Sequence, residues 1–591
     1  MAPTGRGTHP RPQLIRPHWL ELSGSWQFRA DDADRGRSEK WFEGSGEAFD
    51  RTIVVPFPPE SPASGIGRRG HHPVVWYRRT FRAPAAAEGG RLLLHLGAVD
   101  YRADVWLNGH HVGAHEGGHT PIRVDLTGRL EPGDAGQVLV VRAEDRPTDL
   151  TQPRGKQDWR PEPHDIWYHR TTGIWQPVWL EPVPDLHIVE VQWTTDLTAA
   201  TATLQMRLSR PPPSPLTVAV RIRRGDDVLA DTTVRTTSDA LRHTVTLPAA
   251  HGPDGERLTW SPEHPTLLDV DLTLRDGDRV VDAAQSYVGL RSVGCADGRF
   301  LLNHRPYYLR LVLAQGYWPQ SHLAAPSADA LRREVELIKE LGFNGVRVHQ
   351  KVEDPRFLYW CDRLGLLVWG EMANGYAFDT TAVERLTREW LEVLRRDRSH
   401  PCIVTWVPVN ESWGVDDVEH DPAQAHLITA LYHLTKAVDP TRPVISNEGW
   451  EHTRSDIVGV HDYGSAAELT QRYGSPEAIR HTLRHGRPGG RRLLLIDDTH
   501  HGQPVVISEF GGLSVAPADG QKWFGYATVA TTEELLARFA GLVAALRDSP
   551  GIAGYCYTQL TDVEQETNGL LTADRVPKVP PARIRAVLTG G

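Results

Sequence analysis

The sequence predicts a multidomain protein: an N-terminal β jelly roll over residues 1–184, an immunoglobulin-like β-sandwich over 185–295 and a C-terminal (β/α)8 (TIM) barrel over 296–591. At 591 residues the chain is too long for a single hydrophobic core. Up to about residue 290, short β-rich runs alternate with clusters of Gly, Pro and Asp. Beyond that point, short apolar runs alternate with amphipathic helical patterns, as in α/β proteins.

The first two segments show the alternation of apolar and polar residues that is typical of antiparallel sheets. In the first segment the runs are "RTIVVPF", "VVWYRRTF", "RLLLHLGAV", "RADVWLNGHHVG" and "GQVLVVRAED", which favour a sandwich or jelly roll. In the second they are "DLHIVEVQWTT", "ATATLQMRLSR", "LTVAVRIRRGD", "HTVTLPA" and "TLLDVDLTLRDG". A segment of about 100 residues with such spacing is typical of an immunoglobulin-like sandwich.

The third segment contains eight short apolar runs with helical patterns between them. We predict strands over 307–315, 345–349, 366–371, 403–410, 444–447, 457–461, 505–509 and 552–559. Helices such as "SADALRREVELIKELG" and "AVERLTREWLEVLRRD" lie between them. Eight strands that alternate with helices predict a (β/α)8 barrel.

Composition excludes several classes of partner. The formal net charge of −10 argues against nucleic acid, because phosphate binding needs a basic face. No run approaches the roughly 18 apolar residues of a membrane helix, and the start of the sequence lacks the apolar run of a signal peptide. The four cysteines are not in metal-like spacing, so we expect a cytoplasmic setting and no cofactor or metal. A homo-oligomer is left open.

Tryptophan is abundant, at 19 residues. Aromatic rings pack well on the apolar faces of sugars, so the composition favours a carbohydrate partner.

Polar or aromatic residues follow nearly every predicted barrel strand, at the end where barrels carry their active sites. They are Trp318, Arg347, His349, Glu371, Asn410, Glu411, Trp413, Trp450, His461, Tyr463, Glu509 and Gln559. Glu411 and Glu509 end strands on opposite sides of the barrel mouth. Two carboxyl groups that flank a bound sugar are what glycoside hydrolysis needs. Asn410 would then donate to the sugar 2-hydroxyl, and Tyr463 would hydrogen-bond the nucleophile.

At these residues the chain resembles glycoside hydrolase family 2, the family of β-galactosidases, β-glucuronidases and β-mannosidases. The barrel stretches "GFNGVRVHQKVEDPRFLYWCDRLGLLVWGEM", "RDRSHPCIVTWVPVNESWG" and "PVVISEFGG" are similar to its most specific motifs, and "AVDYRADVWLNGHHVGAHEGGHTPIRVDLT" is similar to its jelly roll. The resemblance covers almost the whole chain. It implies a retaining β-glycosidase with Glu411 as acid/base and Glu509 as nucleophile. It also implies a −1 subsite formed by Arg347, His349, Glu371, Asn410 and Tyr463.

The chain departs from the family pattern at places that bear on the substrate. Gln350 and Lys351 follow the strand-2 histidine where the family has Tyr-Pro, and Thr558 stands where it has a Trp of the sugar platform. The Asn-x-Lys clamp of β-glucuronidases has no counterpart within 567–578, which argues against a uronic acid. The large C-terminal domains of the longest β-galactosidases do not follow strand 8. The first expectation is a terminal galactose-type sugar, with a β-galactofuranoside or arabinofuranoside as the alternative.

Two other functions fit the sequence less well. A non-catalytic carbohydrate-binding relative would lack a catalytic carboxylate, and both are present. A metallohydrolase would use His349, His461, His500 and His501, but their spacing is not that of a metal site. Finally, the jelly-roll loop "GKQDWRPEPHD" is expected to lean over the barrel mouth, with Asp158 and Trp159 touching sugar.

Overall fold

The protein is described by a computed structural model that covers residues 5–84, 89–133, 135–252, 255–495, 500–516 and 523–590. It contains a jelly-roll sandwich, a second smaller sandwich and a barrel, so the predicted fold class is confirmed. The domain limits at residues 184 and 295 stay predictions.

The first sandwich packs a four-stranded sheet, in the order β1-β12-β5-β9, against a six-stranded sheet, in the order β3-β2-β4-β10-β7-β8. Apolar side chains such as Leu94, Val105 and Val141 fill the space between the two sheets. The strands are β1 (Leu20–Glu21), β2 (Gly24–Ala30), β3 (Arg51–Val55), β4 (Val74–Arg82), β5 (Arg91–Leu96), β6 (Val99–Asp100), β7 (Arg102–Leu107), β8 (His110–Glu116), β9 (Ile122–Asp125), β10 (Gly136–Glu144), β11 (Gly173–Ile174) and β12 (Val178–Val183).

The second sandwich pairs a three-stranded sheet, β13-β14-β17, with a four-stranded sheet, β16-β15-β18-β19. Its strands are β13 (Ile188–Asp196), β14 (Thr201–Leu208), β15 (Leu216–Arg224), β16 (Asp227–Thr236), β17 (Ala240–Thr246), β18 (Leu268–Asp276) and β19 (Arg279–Val288). β16 and β19 were not predicted because their apolar alternation is weak: β16 is mostly exposed, and the buried side of β19 carries Asp282 and Ser286. The sequence features that could have predicted these two strands are Gly225 and Gly277. Their positive φ angles close the β15–β16 and β18–β19 hairpins.

The third region opens with a small antiparallel sheet and continues as the barrel. The strands are β20 (Val293–Ala296), β21 (Arg299–Leu302), β22 (Arg305–Pro306), β23 (Leu309–Ala314), β24 (Gly345–Val348), β25 (Leu367–Glu371), β26 (Ile403–Val407), β27 (Val458–His461), β28 (Val505–Gly511), β29 (Leu513–Val515), β30 (Ala527–Val529) and β31 (Gly554–Thr558). Seven of them form one parallel sheet in the order β26-β25-β24-β23-β31-β28-β27.

The eighth predicted strand, 444–447, is not a strand in the structure. It is an extended segment that joins the sheet through isolated bridges, Trp406 to Val444 and Asn410 to Glu448. On its other side, side chains replace a strand partner: the N–H of Val444 donates to Asp456 and that of Ser446 to Ser455 Oγ, both at 3.0 Å. The segment still occupies the position between β26 and β27, and we call residues 444–448 the bridging segment.

The helices surround the barrel, and most begin at a side chain that accepts a backbone N–H, as Ser327 does for α1. They are α1 (Ala328–Leu341), α2 (Pro355–Leu364), α3 (Thr380–Asp397), α4 (Pro422–Val438), α5 (Ala466–Tyr473), α6 (Pro476–His485), α7 (Thr532–Arg547) and α8 (Pro581–Thr589). Within the described part of the chain, none of them is long and apolar enough to cross a membrane.

The jelly roll reaches the barrel mouth through residues 154–168. The backbone N–H groups of Arg154 and Gly155 both donate to the carbonyl of Asn374, at 3.1 and 3.0 Å. The smaller sandwich contacts the outside of the barrel, where Tyr287 donates to Asp362 at 2.8 Å. The barrel mouth is therefore closed partly by the jelly roll.

Candidate active site

Glu411 and Glu509 lie at the carboxyl ends of their strands, on the same rim of the barrel. Glu411 follows β26, and Glu509 lies within β28. One carboxylate oxygen of each and one ring nitrogen of His461 lie within 4.8 Å of one another. The structure thus brings together the two carboxyl groups that the sequence placed 98 positions apart.

The backbone at Glu411 is strained and held by the bridging segment. Glu411 and Ser412 both have positive φ angles, 53° and 57°, which residues with a side chain rarely adopt. The N–H of Glu411 donates to the carbonyl of Glu448, and the N–H of Ser412 donates to Asn447 Oδ1, both at 2.9 Å. These contacts fix the direction of the Glu411 side chain toward the barrel axis.

Arg347, at the end of β24, is fully buried and contacts three of the carboxylates at the barrel mouth. Its guanidinium lies 2.7 Å from Glu371, 2.9 Å from Glu448 and 2.8 Å from Glu509. Another nitrogen donates to Asn410 Oδ1 at 2.6 Å. Because a guanidinium offers five donors in one plane, a single side chain sets the positions of all four groups.

His461 lies between carboxylates and is positively charged. Its Nδ1 is 2.6 Å from Glu411 Oε1, and its Nε2 bonds Glu448. Burial alone would lower its pKa, but the carboxylates of Glu509, Glu448 and Glu411 raise the pKa of His461 to about 10. His461 was predicted to bind substrate. In the structure both ring nitrogens bond carboxylates, so His461 orients Glu411. Its contact with substrate stays a prediction.

Tyr463 contacts the second oxygen of Glu509. Its hydroxyl donates to Glu509 Oε2 at 2.5 Å, and its ring stacks on Tyr526 with the centroids 3.5 Å apart. Burial and the nearby Glu509 raise the pKa of the Tyr463 hydroxyl well above its usual range, so this group is a donor. Each oxygen of Glu509 therefore has one donor, from Arg347 on one side and Tyr463 on the other.

Asn410 and His349 are the remaining polar side chains beside Arg347. The amide nitrogen of the Asn410 side chain has no hydrogen-bond partner among the described residues. A buried donor without a partner costs about 1–3 kcal/mol, so it is available for a substrate hydroxyl. His349 lies 3.0 Å from Glu371, and burial together with the nearby Arg347 lowers its pKa well below the usual range.

The carboxyl ends of the strands surround a small cavity. Its polar and charged lining is formed by Lys156, His349, Glu411, Glu509, Thr558 and Glu566. Its apolar and aromatic lining is formed by Ile166, Leu313, Tyr376, Trp413, Tyr463 and Tyr526. Lys156, Tyr376, Tyr526 and Glu566 were not predicted. They lie outside the barrel strands, so the rule that links function to strand ends did not reach them.

Nine of the predicted residues do not line this cavity. Four of them, Arg347, Glu371, Asn410 and His461, belong to the buried network described above, and five lie elsewhere. Trp318 packs under the guanidinium of Arg575, with the carbon of the guanidinium 3.3 Å from the ring centroid. Trp450 packs edge-on against His461. The others are Gln559, which bonds Gln315 and Asn568, Asp158, and Trp159, which packs against Trp167 and Tyr376. Their contact with sugar stays a prediction.

Asp158 faces its own loop. Its oxygens accept from the backbone N–H groups of Arg160 and His164, at 2.8 and 2.9 Å, and from the His164 ring. A carboxylate that caps its own turn in this way shapes the loop around it.

The four histidines considered for a metal site lie at opposite ends of the barrel. His349 and His461 are at the carboxyl ends of β24 and β27, whereas His500 and His501 precede β28. Glu411, His461 and Glu509 are close enough together to share an ion. In this arrangement the two ring nitrogens of His461 bond Glu411 and Glu448.

Comparisons with known proteins give one family for all three regions. Residues 71–174 match the galactose-binding-like domain of glycosyl hydrolase family 2, residues 186–291 match the "Glycosyl hydrolases family 2" model, and residues 293–536 match the family's TIM barrel domain.

The relatives agree with this. A β-glucuronidase of Paenibacillus borealis is 26% identical over 96% of both chains. A β-galactosidase of Thermoanaerobacter pseudethanolicus is 29% identical over 63% of this chain, which spans only about half (48%) of that protein. The structure of a Lactobacillus rhamnosus β-glucuronidase superposes with a TM-score of 0.77 at 20% identity, over 98% of this chain and 97% of that one. The chain therefore belongs to glycoside hydrolase family 2 and is a glycoside hydrolase.

Proposed function

We propose that the protein is a retaining, exo-acting β-glycosidase that releases a terminal neutral sugar, of the galactose type in the first instance. The observation that carries the mechanism is the separation of Glu411 and Glu509, whose nearest oxygens lie within 4.8 Å of each other. Retaining enzymes hold their carboxyl groups about 5–5.5 Å apart, whereas inverting enzymes need roughly 6.5–9.5 Å to admit a water molecule.

In the first step Glu509 attacks the anomeric carbon while Glu411 gives a proton to the leaving oxygen. The bond to the leaving group breaks as the glycosyl–Glu509 ester forms. In the second step Glu411 takes a proton from water, the water oxygen attacks the anomeric carbon, and the ester bond to Glu509 breaks. His461, 2.6 Å from Glu411, fixes the orientation of the acid/base. The donors from Tyr463 and Arg347 direct Glu509.

Charge favours a neutral sugar. Five carboxyl groups lie in or beside the cavity, and three basic groups face them. The carboxyl groups are those of Glu371, Glu411, Glu448, Glu509 and Glu566, and the basic groups are Lys156, Arg347 and His461. Each basic group is already paired. A uronic acid would add another negative charge without an unpaired cation to receive it.

A β-glucuronide is the second candidate, because the Paenibacillus borealis relative that aligns over 96% of this chain is a β-glucuronidase. The furanoside alternative gains no support from the relatives described above. A panel of nitrophenyl β-galactopyranoside, β-glucoside, β-glucuronide, β-galactofuranoside and α-arabinofuranoside tests these substrates directly. We expect the highest kcat/KM with a neutral pyranoside. A β-glucuronide preference would contradict the charge argument and leave the mechanism standing.

The mechanism is tested by Glu509→Ala and Glu411→Ala. Glu509→Ala should abolish turnover of every substrate. Glu411→Ala should slow a nitrophenyl glycoside by about 10²–10⁴-fold. It should slow a dinitrophenyl glycoside much less, because that leaving group departs without protonation. Glu334→Ala is the control, since Glu334 is as buried as Glu509 but lies on α1. Near-wild-type activity of either active-site variant, or an inverted first product by NMR, would contradict the proposal.

A further inference from the structure

Lys156 and Glu566 form a buried ion pair in the wall of the cavity that holds Glu411 and Glu509. Lys156 Nζ lies 3.1 Å from Glu566 Oε2, and the two residues are only 6% and 2% exposed. They come from different domains, since Lys156 belongs to the jelly-roll loop and Glu566 to the segment after β31. The mechanism described above uses neither of them.

Both side chains have hydrogen-bonding capacity that the protein does not use. An ammonium group offers three donors, and Glu566 is the only hydrogen-bond partner of Lys156 Nζ among the described residues. Glu566 Oε2 accepts from Lys156 and, at 2.8 Å, from Gln315. Its Oε1 has a single distant donor, Asn568, at 3.4 Å. The cavity wall therefore offers a strong donor beside a strong acceptor.

The loop that carries Lys156 is held tightly against the barrel. Gly155 lies so close to it that a Cβ there would be 2.1 Å from the carbonyl oxygen of Gln350. The carbonyl of Gly155 accepts from the Tyr376 hydroxyl at 2.8 Å. On the other side of Lys156, its carbonyl accepts from the N–H of Tyr168 at 3.0 Å. The ammonium is thus placed by contacts on both sides.

Glu566 is oriented by a chain of amide side chains. Gln315 donates to Glu566 and also to Gln559, and Gln559 donates to Asn568 at 2.6 Å. Amide groups that bond one another in this way fix which atoms of each face the carboxylate. Gln559, predicted to bind sugar, is therefore a positioning residue for this pair.

A buried ion pair of this kind is weak evidence for a role in stability, because its desolvation offsets most of the attraction. Its position gives it another use. It lines the cavity that holds Glu411 and Glu509, it keeps donors and an acceptor uncommitted, and it holds no net charge. A neutral polyol matches those three properties, whereas an anion would compete with Glu566 for Lys156.

We propose that Lys156 and Glu566 together bind two adjacent hydroxyl groups of the terminal sugar, Lys156 as donor to one and Glu566 Oε1 as acceptor from the other. This inference rests on the proposed function, because it concerns the sugar held beside Glu411 and Glu509. The amide nitrogen of Asn410, which has no hydrogen-bond partner among the described residues, is not part of this pair. The pair makes the jelly roll part of the sugar-selecting site.

The test measures the energetic coupling between each side chain and each hydroxyl. The variants Lys156→Met, Glu566→Gln and the double variant are assayed with a nitrophenyl glycoside of the preferred sugar and its monodeoxy forms. Lys436→Met is the matched control, because Lys436 pairs with Asp456 at the opposite end of the barrel. Glu566→Gln keeps the size of the side chain, and the double variant leaves no unpaired buried charge.

In the wild type we expect removal of either contacted hydroxyl to lower kcat/KM by about 10³-fold or more, because the polar groups of the site are then left unpaired. In Lys156→Met and Glu566→Gln the parent substrate should lose about 10²-fold. In those variants the further penalty for removing the contacted hydroxyl should fall to less than about tenfold. A purely structural pair would lower activity with every substrate equally.

Deoxy penalties that are the same in the variants and the wild type would overturn this inference. Failure of the proposed function looks different: the wild type would then hydrolyse none of the glycosides. If the wild type is active, and removal of each hydroxyl lowers kcat/KM by the same factor in the wild type and in the variants, the result counts against the role of the ion pair alone.

Discussion

At the scale of single residues, His461 is the group on which the charges of the active site depend most. It touches Glu411 and Glu448 directly, and one ring nitrogen is 3.4 Å from Glu509. A neutral imidazole there would leave several carboxylates with one fewer counter-charge. The carboxylates therefore raise the pKa of His461 to about 10, against the effect of burial.

This raised pKa predicts how stability depends on pH. The unfolded imidazole has a pKa near 6.5, so folding binds a proton between pH 6.5 and about 10. The stabilisation is complete below pH 6.5 and is lost as the pH rises toward 10. Each unit of pKa difference corresponds to about 1.4 kcal/mol, so we expect a loss of several kcal/mol. Denaturant unfolding at pH 6.5, 8 and 9.5 measures it, and His461→Gln should show a much smaller decline.

His452 provides the comparison for this prediction. It is also buried, but burial lowers its pKa, so it is neutral in the folded protein. It therefore contributes stability that is lost as the pH falls below 6.5, and His452→Gln should leave the alkaline decline unchanged. An alkaline decline that is equally steep in His461→Gln and the wild type would contradict the assignment of the proton to His461.

At the scale of elements, the periodicity of apolar residues predicted the barrel strands that a local sequence pattern determines. Seven of the eight barrel strands were found because apolar runs between helical patterns mark buried parallel strands. The bridging segment was predicted as a strand because Val444 and Ile445 are apolar, but on the side away from β26 its backbone N–H groups bond the side chains of Ser455 and Asp456. The Lys156–Glu566 pair could not be predicted, since its members are 410 positions apart and lie on loops.

The close packing of the loop that carries Lys156 predicts that one methyl group added at Gly155 would disturb the site. Gly155 has φ +63°, and an added Cβ would lie 2.1 Å from the carbonyl oxygen of Gln350. Gly155→Ala should therefore displace the loop and lower kcat/KM as Lys156 moves. It should also lower the free energy of unfolding by about 2 kcal/mol or more, combining backbone strain with overpacking. Kinetics and denaturant unfolding of the same sample measure both effects.

Gly225→Ala is the matched control. Gly225 has φ +59° in the β15–β16 turn, but nothing lies within 4 Å of an added Cβ. It should lower stability by about 1 kcal/mol from backbone strain alone, with kcat/KM unchanged. Equal effects of the two substitutions would show that the contact with Gln350 does not hold the loop.

At the scale of the whole molecule, the domains contribute to different ends of the barrel. The jelly roll supplies Lys156 and Ile166 to the cavity at the carboxyl ends of the strands. The smaller sandwich contacts the barrel through Tyr287, which reaches a cluster next to Cys402, just before β26 begins. We therefore expect activity to depend on docking of the first domain, and docking of the second domain to affect stability alone.

Removing the Tyr287 hydroxyl tests whether docking of the smaller sandwich affects stability without affecting activity. Its hydroxyl donates to Asp362 Oδ2 at 2.8 Å, and the same carboxylate bonds His400 at 2.6 Å. A hydrogen bond to a charged group contributes about 1.5–3 kcal/mol, so Tyr287→Phe should lower the free energy of unfolding by that amount. Because the cluster lies at the amino end of the strands, kcat/KM should stay within twofold of the wild type. Tyr307→Phe, which removes an exposed hydrogen bond to Glu263, should change neither quantity appreciably. A fall in activity with Tyr287→Phe that matched its loss of stability would mean that the smaller sandwich also positions the catalytic groups.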